Sequence, residues 1–428
     1  MRINPIRAVA AGAMATLLAL TAACSSGANP TAPPEQQELA SGEFLTITTF
    51  GEFGYDDLIE KWNAEHPDVQ VKQTKVSKWD DWKTELNTTL QAGGDLPDVV
   101  AIEGDFMPAL VAAPDRWADL TSPEVEGRWL AFKEEAAKTP DGRLIGYATD
   151  SGPQAICYRS DLFAEAGLPT DRTEVAALLG SWEEYFAAGE KFKQAVPDAN
   201  WYDASGSIAQ AMLNQVEYPF EQADNTVNIE TPELKAVYEA VTTHADLGTR
   251  AAQWSPDWTA SFTQGGVATV MCPGWMRANI RSNQGEPAPD GVQWDIADVF
   301  PGGGGNWGGS YLAVPQSSPH QTLAKELAAW LTAPEQQVEV FKVTGNFPSQ
   351  VEALKDPELL KATDAYFNNA PAGEIFSSRA EAITVQPYHG PLYSDILQKF
   401  QDAINRTDQG IDPDESWATF TSEVAALQ

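Results

Sequence analysis

Residues 44–102 read FLTITTFGEFGYDDLIEKWNAEHPDVQVKQTKVSKWDDWKTELNTTLQAGGDLPDVVAI. Alternation and β-branching over 44–50 predict a strand. Residues 55–66 put Leu58, Ile59 and Trp62 on one helical face and stop before Pro67. A second strand is expected over 69–74. Across 79–92 the apolar positions Trp79, Trp82, Leu86 and Leu90 recur at helical spacing, and Gly93 with Gly94 ends the run. Pro97 and Asp98 then lead into a third strand at 99–102. Strand, helix, strand, helix, strand predicts a parallel sheet with right-handed crossovers.

In such a sheet a ligand sits beyond the carboxyl ends of the strands, where strand order reverses, here between the first and third strands. The loops at that place are Gly51-Glu52-Phe53-Gly54 and Glu103-Gly104-Asp105. They offer carboxylates and glycines rather than cations, so the expected ligand is not an anion.

Composition narrows the function further. The 428 residues hold 27 Lys plus Arg against 61 Asp plus Glu, a net charge of −34. No basic face exists to release counterions from phosphates, which excludes nucleic-acid binding and disfavours anionic membrane surfaces. Three cysteines lie far apart, so no Cys/His cluster holds a metal, and no cofactor is implied. GxSxG, HExxH and Walker A motifs are absent, and His66, His244, His320 and His389 are dispersed. Residues 303–308 (GGGNWG) match a dinucleotide fingerprint in form, but a strand follows where a helix amino terminus is needed.

Residues 1–23 read as an export signal, with Arg2 and Arg7 before an apolar run at 8–20 too short to span a bilayer. Leu20-Thr21-Ala22-Ala23-Cys24 resembles a bacterial lipobox, which implies lipidation of Cys24. Residues 24–43 are polar and Pro-rich, a flexible tether that would hold a folded domain at the outer face of the cytoplasmic membrane. In that oxidising setting Cys157 and Cys272 are either bridged or two buried thiols, and both readings stay open.

A second lobe is indicated by a strand at 155–158, a short helix at 161–166, an amphipathic helix at 182–196 and strands at 267–272 and 311–314. The tail is helical, with Leu392, Ile396, Phe400 and Ile404 at steps of four. Fourteen tryptophans are the largest compositional deviation. Trp62, Trp79, Trp82, Trp182 and Trp330 lie on apolar helical faces and are expected to pack in the core. Trp275 and Trp307 each follow a glycine or loop residue at a strand end, where an indole can present its face to a cleft. That face suits the apolar side of a pyranose, while neighbouring groups such as Arg277 and Asn306 satisfy hydroxyls.

These residues resemble a known family, the extracellular sugar-binding proteins of ABC importers, which includes maltose-binding protein. The likeness rests on ITTFGEFGYDDL at 47–58, on Ala92-Gly93 with Leu96-Pro97-Asp98-Val99-Val100, and on Tyr158-Arg159-Ser160-Asp161-Leu162-Phe163 with Ser181-Trp182-Glu183-Glu184. Phe262 to Ile280 and Gly308-Gly309 to Pro315 complete it. The resemblance implies a two-lobe α/β fold of the periplasmic-binding-protein type, each lobe a mostly parallel sheet flanked by helices, joined by a hinge. It implies a first lobe of 44–150 and 312–365 and a second of 151–311 and 366–428, with crossings near 150–153, 309–315 and 360–370.

By the same resemblance Glu52 accepts sugar hydroxyls and Phe53 stands where a relative has lysine. Trp275 is the aromatic platform, Asp150 the acidic residue near the hinge, and Tyr393 lies beside a further stacking position that Tyr388 or Trp307 would fill. Together with the loop and strand-end residues read above, the expected ligand set is Glu52, Phe53, Glu103, Asp105, Asp150, Trp275, Arg277, Asn306, Trp307, Gly308, Tyr388 and Tyr393. The expected function is capture of an oligosaccharide, with cellobiose or cello-oligosaccharides favoured by residues 147–158 and 307–309, and delivery by a monomer to a permease pair driven by an ATPase. Two rivals are a polyamine receptor, suggested by the charge, and a surface glycosidase, suggested by Asp56/Asp57 and Asp80/Asp81.

Overall fold

A computed structural model of the chain describes residues 39, 40 and 42–428; the export signal, Cys24 and most of the tether lie outside them. Among the described residues nine strands form two sheets. They are β1 (Leu45–Phe50), β2 (Val71–Val76), β3 (Val99–Glu103), β4 (Tyr147–Ala148), β5 (Gln154–Arg159), β6 (Asn200–Tyr202), β7 (Val267–Pro273), β8 (Trp294–Ala297) and β9 (Ser310–Ala313). The first sheet has the order β2-β1-β3-β9-β4 and the second β6-β7-β5-β8.

The opening βαβαβ unit forms as its periodicity predicts, with helices Asp56–Glu65 and Trp79–Ala92 between parallel strands. β1 lies between β2 and β3, so strand order reverses where the two glycine-bearing loops emerge. The Pro-Asp pair before β3 has a local cause. Asp98 Oδ2 accepts from the amide and hydroxyl of Thr46 at 2.9 and 2.8 Å, fixing the start of β3 beside β1. β2 starts two residues later than the pattern suggests. Val69 is spent on the preceding helix, its carbonyl accepting from Trp62 Nε1 at 3.0 Å, and Asn63 bonds both the amide and the carbonyl of Val71.

Each sheet runs mostly one way, with a single reversed strand. β9 is antiparallel to β3 and β4, and β5 is antiparallel to β7 and β8. The reversed strand is in each case the one that enters directly from the other sheet, β5 six residues after β4 and β9 after the long loop that follows β8. Alternate residues of β5 face opposite ways: Ile156 and Tyr158 join one core, Ala155 and Cys157 another, so helices cover both faces of the second sheet. The Cys157 and Cys272 sulfurs are bonded, linking β5 to β7 with Cα atoms 5.5 Å apart.

The boundaries differ from the expected ones at two places. Ser310 and Tyr311 belong to the first sheet, not to the end of the second lobe. The third passage comes before 360–370. Helix Pro334–Thr344 stops at Gly345, whose φ of +91° turns the chain. Phe347 and Gln350 then bridge to Ser151 and Trp129, and Phe347, Ala353 and Leu359 already pack with Ala155 and Cys157 of the second sheet. Here Gly274 is needed: a Cβ on it would lie 2.4 Å from the Gly345 carbonyl. Among the described residues no helix is long and apolar enough to cross a membrane.

Candidate functional site

A cleft of about 760 Å³ opens between the lobes, at the carboxyl ends of β1 and β3. From the first lobe it is lined by Phe50, Glu52, Phe53, Trp79, Glu103 and Asp105, and from the second by Trp254, Trp275, Asn279 and Gln210. The crossing segments contribute Asp150 and residues 307–310.

Three carboxylates form the floor. Glu103 Oε2 accepts the Asp105 amide at 2.8 Å, which turns the chain sharply after β3. Asp150 Oδ1 accepts from Thr149 Oγ1 at 2.6 Å and from the Ser310 amide at 2.8 Å, so the first two crossings are tied together at this residue. Burial pushes all three carboxyls up from their ordinary range, Glu103 furthest because Asp105 adds repulsion. The opposing cation is Lys133, 2% exposed, with Nζ 4.1 Å from the Tyr311 ring centroid. Burial brings Lys133 down to about 8 against the pull of Asp150, Glu103 and Asp105. His389 Nδ1 lies 3.2 Å from Asp105 Oδ1 and its ring stacks on Tyr393. Burial lowers the His389 value, with Asp105 opposing.

The walls are aromatic. Trp275 Nε1 donates to the Trp307 carbonyl at 3.1 Å, and the two rings meet edge to face at 5.5 Å. Trp254 lies 6.0 Å from Trp275, centroid to centroid. On the opposite wall Trp79 packs 5.0 Å from Phe50. Trp254 has φ +66°, a conformation that costs a bulky residue energy and is kept where surrounding structure imposes it, often at sites of function. Trp258, 4.8 Å away, helps to hold it.

Of the twelve expected ligand residues, Glu52, Phe53, Glu103, Asp105, Asp150, Trp275, Trp307 and Gly308 line the cleft. Phe53 and Trp307 offer it little surface, being 6% and 8% exposed. Four residues are elsewhere. Arg277 is buried against Asp364 at 2.7 Å, beside a separate cavity of about 700 Å³. Asn306 spends both ends of its amide on the crossings, accepting from Gly152 N at 2.8 Å and donating to the Gly308 carbonyl at 3.0 Å. Tyr388 turns away to Asn225, 2.7 Å from its hydroxyl. Tyr393 is wholly buried between His389 and Phe220.

Trp254, Gln210 and Asn279 line the cleft although they were not among the expected ligand residues, and Trp79, expected in the core from its periodicity, is half-buried and lines it too. For Trp79 a signal existed. It is the first residue of a helix that follows a parallel strand, and such a helix begins on the ligand side of the sheet. The acid pairs Asp56/Asp57 and Asp80/Asp81 are exposed in the first turns of their helices, where carboxylates complement the helix dipole.

Comparison with known proteins agrees with this architecture. The family model described as "Bacterial extracellular solute-binding protein" matches residues 57–368. A crystal structure of an extracellular solute-binding protein family 1 member is 42% identical with a TM-score of 0.79, over 89% of this chain and 98% of that one. The arabinooligosaccharide-binding protein of Bacillus subtilis (strain 168) is 26% identical over 402 residues, 87% of this chain and 88% of its own length. The ABC-transporter-associated binding protein of B. animalis subsp. lactis Bl-04, solved with β-1,6-galactobiose, shares the fold at 21% identity and TM-score 0.76, over 89% of this chain and 97% of that one. Two sheets meeting at a lined cleft, with the chain passing repeatedly between them, is an architecture this chain shares with those solved structures. By sequence and by fold, the chain belongs to the bacterial extracellular solute-binding proteins.

Proposed function

We propose that this protein captures a neutral oligosaccharide outside the cytoplasmic membrane and delivers it to an ABC permease pair driven by an ATPase. One observation carries the reading: three partly exposed indoles, Trp79, Trp254 and Trp275, face a cleft floored by Glu103, Asp105 and Asp150. Indole faces match the C–H side of a pyranose, and carboxylates accept from its hydroxyls. Relatives named for arabino-oligosaccharide and solved with β-1,6-galactobiose support short oligosaccharides as the class. Cello-oligosaccharides remain the first ligand to try, on the likeness of residues 147–158 and 307–309.

Closure follows from the geometry. A sugar held by Trp79 on one lobe and Trp275 on the other makes its full set of contacts only with the lobes together, so binding shifts the population towards the closed state. Lipidation at Cys24 would keep the domain within reach of its permease. A thermal-shift panel of cellobiose, cellotriose, arabinobiose, galactobiose, chitobiose, maltose, xylobiose and spermidine tests the reading, because a ligand bound only by the native state raises the melting temperature. A rise with one sugar series is the expected result. A rise with spermidine alone overturns it.

A further inference from the structure

Away from the crossing segments, two lysines at the start of the helix Trp79–Ala92 hydrogen-bond to the second lobe. Lys78, immediately before it, donates from Nζ to the Trp254 carbonyl at 2.6 Å. Lys83, in its second turn, reaches both Ser394 Oγ and Asp395 Oδ1 at 2.9 Å. Trp79 stands between these two grips, facing the cleft. A sugar lying against Trp79 is therefore bounded on two sides by chain that spans from lobe to lobe.

The Lys83 side is the better built. Its ammonium sits 5.2 Å from the Phe106 ring centroid, and its side chain is 18% exposed. Beside it Asp105 meets His389 at 3.2 Å, a second contact from the first lobe to the segment that opens the helix Tyr393–Asp408. Ser394 is the first cleft-lining residue of that helix, and the cleft continues along it past Leu397, Gln398 and Gln401. The bridge thus stands where that wall begins.

Resting on the oligosaccharide reading, we propose that Lys83 sets the length of the sugar: its bridge to Ser394 and Asp395 ends the cleft, so that a disaccharide or trisaccharide fits and a longer chain in the same register does not. A partly exposed ion pair adds little binding energy by itself. What it supplies is a wall, because another ring placed there has to break the bridge and hold the lobes apart.

The test is calorimetric titration of wild type, Lys83→Ala and Asp395→Ala with chains of two to about six rings, in the cello- and arabino-oligosaccharide series. Asp395→Ala removes the bridge from the other lobe and leaves the lysine in place. Wild type should prefer the short members by about tenfold or more, and both variants should erase that preference by improving the longer chains relative to the shorter ones. If both variants weaken every length by one common factor, or leave the ratio of long to short unchanged, the bridge does not set length and the proposal is overturned. Wild type that binds all lengths alike overturns the length proposal alone. Wild type that binds no member of either series overturns the proposal together with the choice of sugar beneath it, and the panel above then reports whether any sugar binds.

Discussion

The indole N–H of Trp275 and the backbone carbonyl of Trp307 are 3.1 Å apart, joining the turn after β7 to the segment that leads into β9. This hydrogen bond fixes the tilt of the Trp275 ring at the meeting point of both lobes. Trp275→Ala should weaken sugar binding by about 2 kcal/mol or more, some thirtyfold, as expected for a central aromatic anchor. Trp275→Phe keeps a ring face, loses the bond to Trp307 and should fall between. Calorimetry gives the affinity and a melt gives the stability; unchanged affinity in Trp275→Ala removes this residue from the site.

Binding should depend on pH in both directions. Burial raises Glu103, Asp105 and Asp150 from their ordinary values, so they take up protons sooner as pH falls and lose the charge that strengthens their acceptance from sugar hydroxyls. Affinity should therefore drop on the acid side. Above about 8 Lys133 loses its charge, the floor loses its buried counter-charge, and affinity should drop again. Stability has the opposite sign on the acid limb. Folded-state values above the unfolded ones mean that these groups favour folding most at low pH, and that contribution is lost as pH rises through the raised values. A flat profile of Kd against pH would remove the carboxylates from the binding role.

The Cys157–Cys272 bridge closes a chain separation of 115 residues. A cross-link over so long a loop restricts the unfolded chain strongly, and its removal should cost about 2–4 kcal/mol. Thiol titration of the denatured, unreduced domain beginning at Ser25 should find no free thiol. Two free thiols would show that the cysteines are reduced in solution.

Arg277 should matter for stability and not for the ligand. Its guanidinium is buried on Asp364, which also binds Arg281, and it lies over the rings of Phe341 and Phe376 at 4.9 and 5.2 Å. Arg277→Met leaves Asp364 with Arg281 as its remaining ion-pair partner and should cost about 3 kcal/mol, the scale of a broken buried pair. Affinity measured well below the melting temperature should stay close to that of wild type. A loss of affinity at unchanged melting temperature would return Arg277 to the ligand set.

Much of the fold was legible because its causes are local. The apolar faces of 55–66 and 79–92, the glycines after Ala92 and the alternation of 44–50 determine their elements within a few residues of chain, and their order determines a parallel unit with its ligand loops at Glu52 and Glu103. The same locality explains what was misread. Trp79 satisfies a helical core pattern equally well whether its ring turns to the sheet or to the cleft, and only its contact with Phe50 and the opposing lobe decides. Arg277 beside Trp275 reads as a hydroxyl partner until Asp364, distant in sequence, claims it. Tyr393 reads as an aromatic platform until packing seals it behind His389. Sequence by itself determined the α/β class of the fold and the loops at the ligand end of its first sheet, because hydrophobic periodicity and turn residues act on neighbours. Which side chains reach a ligand was decided only by tertiary structure, because burial, ion pairing and lobe-to-lobe contact depend on residues that the chain brings together from far apart.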